Sequence, residues 1–392
     1  MSLFSSFWRS AGALLCALLT TAICLTGCGG GSDSSQGAPQ KVEPTELPAN
    51  LPPEIRQAAE KAQQMEMIFL TNHDEIVQKA KEGPALNGFV SSDVADKIAE
   101  AFTAKTGVPA KLEDFSGTDA YQRFLLEADS GALEDIDIQQ APPEEYEAFR
   151  ALMAPYDILG MAQAGILDIP VEMIDPEHRN VVAVGSQIAG YAYNPKMLNQ
   201  KDIPTTWEGF CDTGFLNGQK FMLDLRPSNM APLVASWGMD RVLKLAECLK
   251  AADPILTRGT TDALTRVAAG EVPLHIFTNY HSTVRAMEEA GDNLQVGLID
   301  PVPVRLSNAL GVMNDKIAKN PYAALLLIEF MASPEGQALL DEDPLKSSIY
   351  SPASKVAAAV KGHETSGAGF ENYVQMETWM DQIAGTLGFP QN

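Results

Sequence analysis

The sequence predicts an α/β chain built as two lobes, each a mixed sheet with helices on its faces. Three observations lead there. Between Leu86 and Ile138, short apolar runs alternate with amphipathic helical segments, the pattern of parallel strands joined by crossover helices. A second, separate set of strand candidates lies between Val181 and Phe277, and from Asn320 the chain turns helical. No internal repeat and no second transmembrane-like run interrupts this order.

Residues 54–82 read as helix, because Ile55, Ala58, Ala59, Ala62, Met65 and Ile68 recur at three- and four-residue intervals, and Ile76 and Ala80 extend the pattern to Lys81-Glu82-Gly83. Leu86–Val90 is the first strand candidate. Ser91-Ser92-Asp93 follows, then a helix carrying Val94, Ile98 and Phe102 that stops near Gly107. Val108–Leu112 is the second strand. After Ser116-Gly117-Thr118 comes a helix with Tyr121, Phe124, Leu125 and Ala128 on one face, a stop at Gly131 and a third strand at Ile136–Ile138. Val181–Val184 and Ile188–Tyr193 read as two strands broken at Gly185. Phe221–Leu225 and Leu274–Phe277 are further strands, with helices near 230–251 and 260–269 between them. Asn320 caps a helix with Pro321 at its first position, filled by Tyr322, Leu325, Leu326, Ile328, Phe330 and Met331.

The N-terminus has a different character. One positive charge, Arg9, precedes an uncharged apolar run from Ala11 to Leu25, the layout of an export signal. Leu25-Thr26-Gly27-Cys28 resembles the lipobox of bacterial lipoproteins, in which the cysteine becomes the first residue of the mature chain and carries the lipid. A secreted protein cut nearby and a transmembrane helix are the competing readings. The run is short for a span of roughly 20 residues, and Gly29-Gly30-Gly31-Ser32-Asp33-Ser34-Ser35 follows as a flexible tether would. The expected organisation is a lipoprotein signal at 1–27, a tether at 28–53, a helical lead-in at 54–83, the first part of lobe 1 at 84–184, lobe 2 at 185–300, and a return to lobe 1 with C-terminal helices at 301–392. Such a chain is exported and lipid-anchored, facing the periplasm or the cell exterior.

Composition narrows the function. The chain has 392 residues, 45% of them hydrophobic and 20% charged, so it can bury a sizeable core. A net charge of −23 repels nucleic acid and anionic headgroups alike, which excludes nucleic-acid binding and leaves the lipid to hold the membrane. Of the 5 cysteines, Cys16 and Cys24 leave with the signal and Cys28 takes the lipid. Cys211 and Cys248 remain as an even pair in an oxidising compartment; a bridge and two separately buried thiols both fit. Enzyme motifs are missing: His73, His178, His275, His281 and His363 never fall at metalloprotease spacing, and neither a Gly-x-Ser-x-Gly elbow nor a phosphate-cradling loop occurs.

Several stretches resemble one family. "KAKEGPALNGFVSSD" (79–93) is similar to the opening of iron(III)-type extracellular solute-binding proteins, and "DKIAEAFTAKTGVPAKLEDFSGTDAYQRFLLEADSGALEDIDI" (96–138) to their next section. "GYAYNPKML" (190–198) with "DIPTTWEGFCD" (202–212) resembles the Tyr-Asn-Pro and Pro-x-x-Trp signature of the second lobe. "VAAGEVPLHI" (267–276) and "NPYAALLLIEFMASPEGQALL" (320–340) match later landmarks, so the resemblance runs over roughly 75–345. It implies a two-lobed type II periplasmic-binding-protein fold with strand crossings near 183–190 and 297–304. Ligand would be held in the cleft between the lobes. It also implies a monomeric receptor that passes a small molecule or metal complex to the permease of an ABC importer, with no cofactor. A secreted enzyme on the same scaffold and a sensory binding protein coupled to a receptor are the alternatives.

Ligands of open α/β sheets sit beyond the carboxyl ends of strands, facing helix N-termini. That rule selects Ser91, Ser92, Ser116, Gly117 and Thr118 in the first lobe, residues that also serve as ordinary helix caps. In the second it selects Asn279, Tyr280 and His281. By the resemblance, ferric-binding relatives carry two adjacent tyrosines at this position; Tyr280 matches the first and His281 replaces the second. Metal ligation by Tyr280 and His281, contact with an organic or anionic solute, and cleft packing remain open. Arg226 and Ser228 after one strand, and Arg258 and Thr260 opening a helix, suit carboxylate or phosphate, with Arg258 the better candidate because Gly259 lets backbone approach. Either arginine could equally pair with a surface carboxylate.

Overall fold

A computed structural model describes residues 47–389, other than 116, 213, 217, 219, 343 and 344. The expected signal, Cys28, most of the tether and Ser116 lie outside the described residues. In chain order the strands are β1 (Leu86–Val90), β2 (Ala110–Asp114), β3 (Ile138–Gln140), β4 (Val181–Tyr193), β5 (Met222–Asp224), β6 (Ile255–Thr257), β7 (Leu274–Asn279), β8 (Gln295–Gly297), β9 (Val302–Val312) and β10 (Thr365–Ser366). The helices are α1 (Pro53–Gln64), α2 (His73–Glu82), α3 (Ala95–Thr106), α4 (Thr118–Asp129), α5 (Tyr146–Arg150), α6 (Ile158–Gln163), α7 (Gly209–Asp212) and α8 (Val234–Trp237). They continue as α9 (Met239–Ala251), α10 (Thr260–Ala268), α11 (Tyr280–Ala290), α12 (Pro321–Ala332), α13 (Pro334–Leu340), α14 (Lys355–Ala359), α15 (Phe370–Tyr373) and α16 (Met376–Leu387).

The strands follow one hydrogen-bonded path, β2-β1-β3-β9-β4-β7-β5-β6, with β10 added to β9 and β8 to β4. Its two ends are parallel, β1 with β2 and β3, and β5 with β6 and β7. Its middle is antiparallel. There β4 pairs with β9 from Val181 to Ile188, and then with β7 and β8 from Ala189 to Tyr193. Each half is an α/β layer structure, and β4 and β9 join the two.

Several boundaries differ from the sequence reading, each for a local reason. Gly185 does not break a strand: β4 runs through it, and a Cβ there would lie 2.7 Å from both the Lys346 carbonyl oxygen and Ser307 Oγ, so glycine permits the close packing of its neighbours. Strand β2 starts at Ala110 and not Val108, since Pro109 has no N–H for the ladder. The single helix expected over 54–82 is two. Glu66 turns to φ +56°, Ile68 donates its N–H to the Pro155 carbonyl, and Asn72 caps α2 by accepting from the Asp74 N–H. The helix expected near 230–251 begins as short turns and α8, and Gly238 at φ +76° separates these from α9.

Two cores flank the junction. In the first half Leu86, Val90, Ile98, Phe102, Val184 and Leu310 pack against α12, a helix apolar on nearly every side and therefore buried. In the second, Trp207, Phe210, Phe221, Leu245, Leu249 and Ile276 pack together, and Cys211 is disulfide-bonded to Cys248, tying α7 to α9. Helices α12 and α13 pack with the first half, whereas α16 lies on α9 with Met376, Ile383 and Leu387 in the second core. Ile188, Val302, Val304, Val356 and Val360 form a small cluster where β4 and β9 pass between the halves. Among the described residues no single helix is long and apolar enough to cross a membrane.

Candidate functional site

One bulge and one left-handed residue shape the junction. The β4–β7 register slips between Gly190 and Tyr191, leaving Phe277 displaced with φ +57°. Such a conformation is costly for a bulky residue and persists only where its surroundings enforce it. Here the Phe277 ring stacks on Trp207 (centroids 4.1 Å apart, planes within 15°), and its carbonyl accepts from Asn229 Nδ2 at 2.8 Å. The bulge thereby sets the course of Thr278-Asn279 into α11 and fastens the 226–229 turn to the end of β7. In β9, Asn308 takes φ +50°, which asparagine tolerates better than most residues, and its Oδ1 accepts the Ser91 N–H at 2.9 Å. The end of β1 is thus held on the crossing strand.

Facing the same side of the crossing strands are Gln187 on β4 and Arg305 and Ser307 on β9. They are only partly buried in a stretch whose alternate residues are sealed, which marks the open face. Arg305 stands opposite Gln187 in register and donates from Nη2 to its Oε1. Arg305 Nε and Ser307 Oγ are shut off from water without a partner, and so are Asn279 Oδ1 at the end of β7 and His281 Nδ1 in the first turn of α11. Buried polar atoms are normally satisfied, so four such atoms around one junction require an explanation. Burial pushes the Arg305 guanidinium below its ordinary value, Glu144 and Tyr373 oppose that, and the like charge of Arg226 adds to it. Tyr121, pushed up to about 12 by burial and then by Glu144, accepts from Gln140 Nε2 at 3.0 Å on the first-half side.

At the start of α11, Tyr280 is half-buried beside the Ile188–Val304 cluster, and burial raises its phenol, which therefore stays protonated at neutral pH. His281 is pushed down to about 3 by burial, and further by Lys346, Arg305 and Arg285, against the pull of Asp93. It is a neutral imidazole at neutral pH. Arg285 on α11 reaches Asp93 in the β1–α3 turn at 3.0 Å, a pair that joins the two halves. Both side chains are at least half exposed, so the link contributes at most about 1 kcal/mol.

The predicted residues divide into two groups. The Ser91 N–H goes to Asn308. Ser92 is buried, with Oγ accepting the Val94 N–H at 3.3 Å, so it serves its own turn. Gly117 precedes α4 with φ +98°, and Thr118 opens that helix. In the second half Asn279 Nδ2 donates to the buried Thr260 Oγ1 at 3.2 Å, bringing the starts of α10 and α11 together. Arg226 Nη2 lies 3.8 Å from the Cβ position of Gly259, and Ser228 sits half-buried in the same turn. Arg226 and Arg258 are both exposed, and Arg226 Nε also meets Asp224 Oδ1 at 3.4 Å, the carboxylate pairing that the sequence left open. Arg305, Gln187, Ser307 and Asn308 were not anticipated. Their signature was available: a charged or polar residue inside an otherwise apolar strand is rarely idle.

As a metal centre the site is poorly furnished. Among the described residues no three His, Cys, Asp or Glu side chains come together to hold an ion. Tyr280 and His281 would offer a protonated phenol and a neutral imidazole near Lys346, Arg305 and Arg285. A ferric ion asks for anionic oxygen donors, so Tyr280 would have to give up its phenol proton to serve as one, with His281 adding a softer nitrogen.

Comparison with known proteins agrees with this architecture. The family described as bacterial extracellular solute-binding protein matches residues 97–378. The fold is similar to iron-bound HitA from Pseudomonas aeruginosa (TM-score 0.60, 18% identity, 78% of this chain and 99% of that one). It is also similar to Trichodesmium IdiA (FutA) in complex with iron and citrate (0.62, 18%, 78% and 100%). A third similar structure is the substrate-binding protein of an ABC transporter from Agrobacterium tumefaciens (0.58, 17%, 79% and 96%). At these identities the likeness establishes the two-lobed fold. No curated protein sequence matches the chain.

Proposed function

Since the chain belongs to the bacterial extracellular solute-binding protein family, we propose that it is a lipid-anchored receptor. It captures one small solute by closing its two lobes and hands it to the permease of an ABC importer. The observation that carries this reading is the junction. Two strands serve both halves, and unpartnered buried polar atoms surround their open face. A solute that touches both halves stabilises the closed arrangement by its differential contacts, and the permease then distinguishes closed from open. The anchor would be Cys28, with the acidic chain beyond it held off the headgroups.

The test is a thermal-shift screen of small solutes combined with small-angle scattering. One solute class should raise the melting temperature in proportion to the logarithm of its concentration and shrink the particle. Absence of both effects across sugars, polyamines, organic acids, phosphate esters and metal chelates would sink the reading. Some fold neighbours hold iron, so ferric citrate belongs in the screen. A shift with it that Tyr280→Phe abolishes would make Tyr280 a ligand. For the anchor, Cys28→Ala should release the protein from membranes.

A further inference from the structure

We infer that the captured solute carries an oxyanion head, a carboxylate or a phosphate, received by Arg305 and Arg226, and a hydroxyl or amino group facing Asn279. The inference rests on the receptor reading above and deepens it. Arg305 projects from a crossing strand, where both halves meet, and the hydrogen bond described for its side chain goes to the neutral Gln187 amide and not to a carboxylate. Its Nε is sealed from water with a donor to spare. A second guanidinium, Arg226, is near enough for the two charges to repel, although its Nε also meets Asp224 Oδ1 at 3.4 Å on the exposed side of the turn. Arg305 thus offers an unmet N–H to an anion, the planar fork of a guanidinium suits a carboxylate or phosphate edge, and the exposed Arg226 can turn from Asp224 to join it.

The surroundings agree. The chain as a whole carries −23, yet Lys346, Arg305 and Arg285 outweigh Asp93 about His281, which stays neutral among them. Ser307 Oγ, two residues along the same face of β9, can donate a further hydrogen bond to the head. On the α11 side the unpartnered atom Asn279 Oδ1 is an acceptor, because its amide nitrogen is already engaged with Thr260. The solute end that meets it must donate.

The experiment uses the full-length chain in detergent. Melting temperature and scattering are followed with malate, citrate, glycerol 3-phosphate and inorganic phosphate, against glycerol, glucose, putrescine and ferric citrate. Stabilisation with closure by an organic acid or a phosphate ester is expected, and which arm responds distinguishes carboxylate from phosphate. Arg305→Gln should weaken that binding about 100-fold. Arg226→Ala changes an exposed side chain and should leave folding intact; it should cost about 10-fold. Closure by glucose, glycerol or putrescine alone, or by ferric citrate but not citrate, overturns the inference and leaves the receptor reading standing. Undiminished anion binding in both variants also overturns it. Closure by nothing in the panel removes both.

Discussion

The turns that follow the strands in the two halves of the molecule are alike in sequence, since both sets are short runs of Ser, Thr, Gly and Asn. They differ in what their polar atoms do. Around β1 these atoms are committed within the fold: the Ser91 N–H to Asn308, Ser92 Oγ to Val94. Around β7 and the crossing strand they are left over, at Asn279, His281, Arg305 and Ser307. A polar residue at a strand end is therefore weak evidence of binding, whereas unpartnered buried polar atoms that cluster at the crossing strands are stronger evidence. In the proposed receptor the β1 turn serves the fold, while β7 and the crossing strands offer the solute its polar contacts; unpartnered atoms at Gln139, Asp157 and Asn180 lie elsewhere in the first half.

That contrast can be attacked from either side. Phe102→Ala in the first core and Trp207→Ala in the second should each cost about 4 kcal/mol in urea unfolding. Only Trp207→Ala should also abolish solute binding, because it frees the Phe277 bulge; equal loss of affinity in both variants would erase the distinction. Replacing Cys211 and Cys248 by serine opens a crosslink across a sequence separation of 37 and should cost roughly 4 kcal/mol. Tryptophan fluorescence of the second half should report that loss first.

Acid should act on the second half as well. His275, fully buried on β7, is pushed down to about 4 by burial against the pull of Asp224, and His281 to about 3. Both stay neutral in the folded chain, while the unfolded chain takes up protons below about 6.5. Stability is therefore whole above that pH and falls as pH drops toward 4. The slope is up to about 1.4 kcal/mol per unit for each imidazole, and His275→Gln should flatten it in urea titrations at stepped pH. Smaller effects complete the series. Ser92→Ala should cost about 1 kcal/mol of stability with no change in affinity. Asp93→Asn should weaken closure by only a few-fold, and the difference should vanish in high salt.

The order of elements in the first half was legible because local periodicity and long-range packing agree there. Helix α12 could be read from Asn320 and Pro321 at its start and its apolar content. The misreadings have a common origin in contacts distant along the chain: Gly185 is accommodated by Lys346 and Ser307, and Ile68 is drawn out of a helix by Pro155. The turn residues Asn279, Tyr280 and His281 were legible from position alone. Arg305 was not, because a rule that selects residues beyond strand ends passes over the middle of a strand, and only the pairing of β4 with β9 brings Arg305 opposite Gln187.

The paired crossing also fixes how many ways the molecule can move. One connecting strand would let the lobes swivel, twist and bend independently. Two antiparallel strands, laddered from Val181 to Ile188, resist relative sliding and torsion while still allowing a bend across the ribbon. In the proposed receptor, motion between the lobes would then be nearly a single coordinate and the open state a narrow set of arrangements. Closing it would sacrifice little freedom, so that more of each contact made by a solute would survive as affinity.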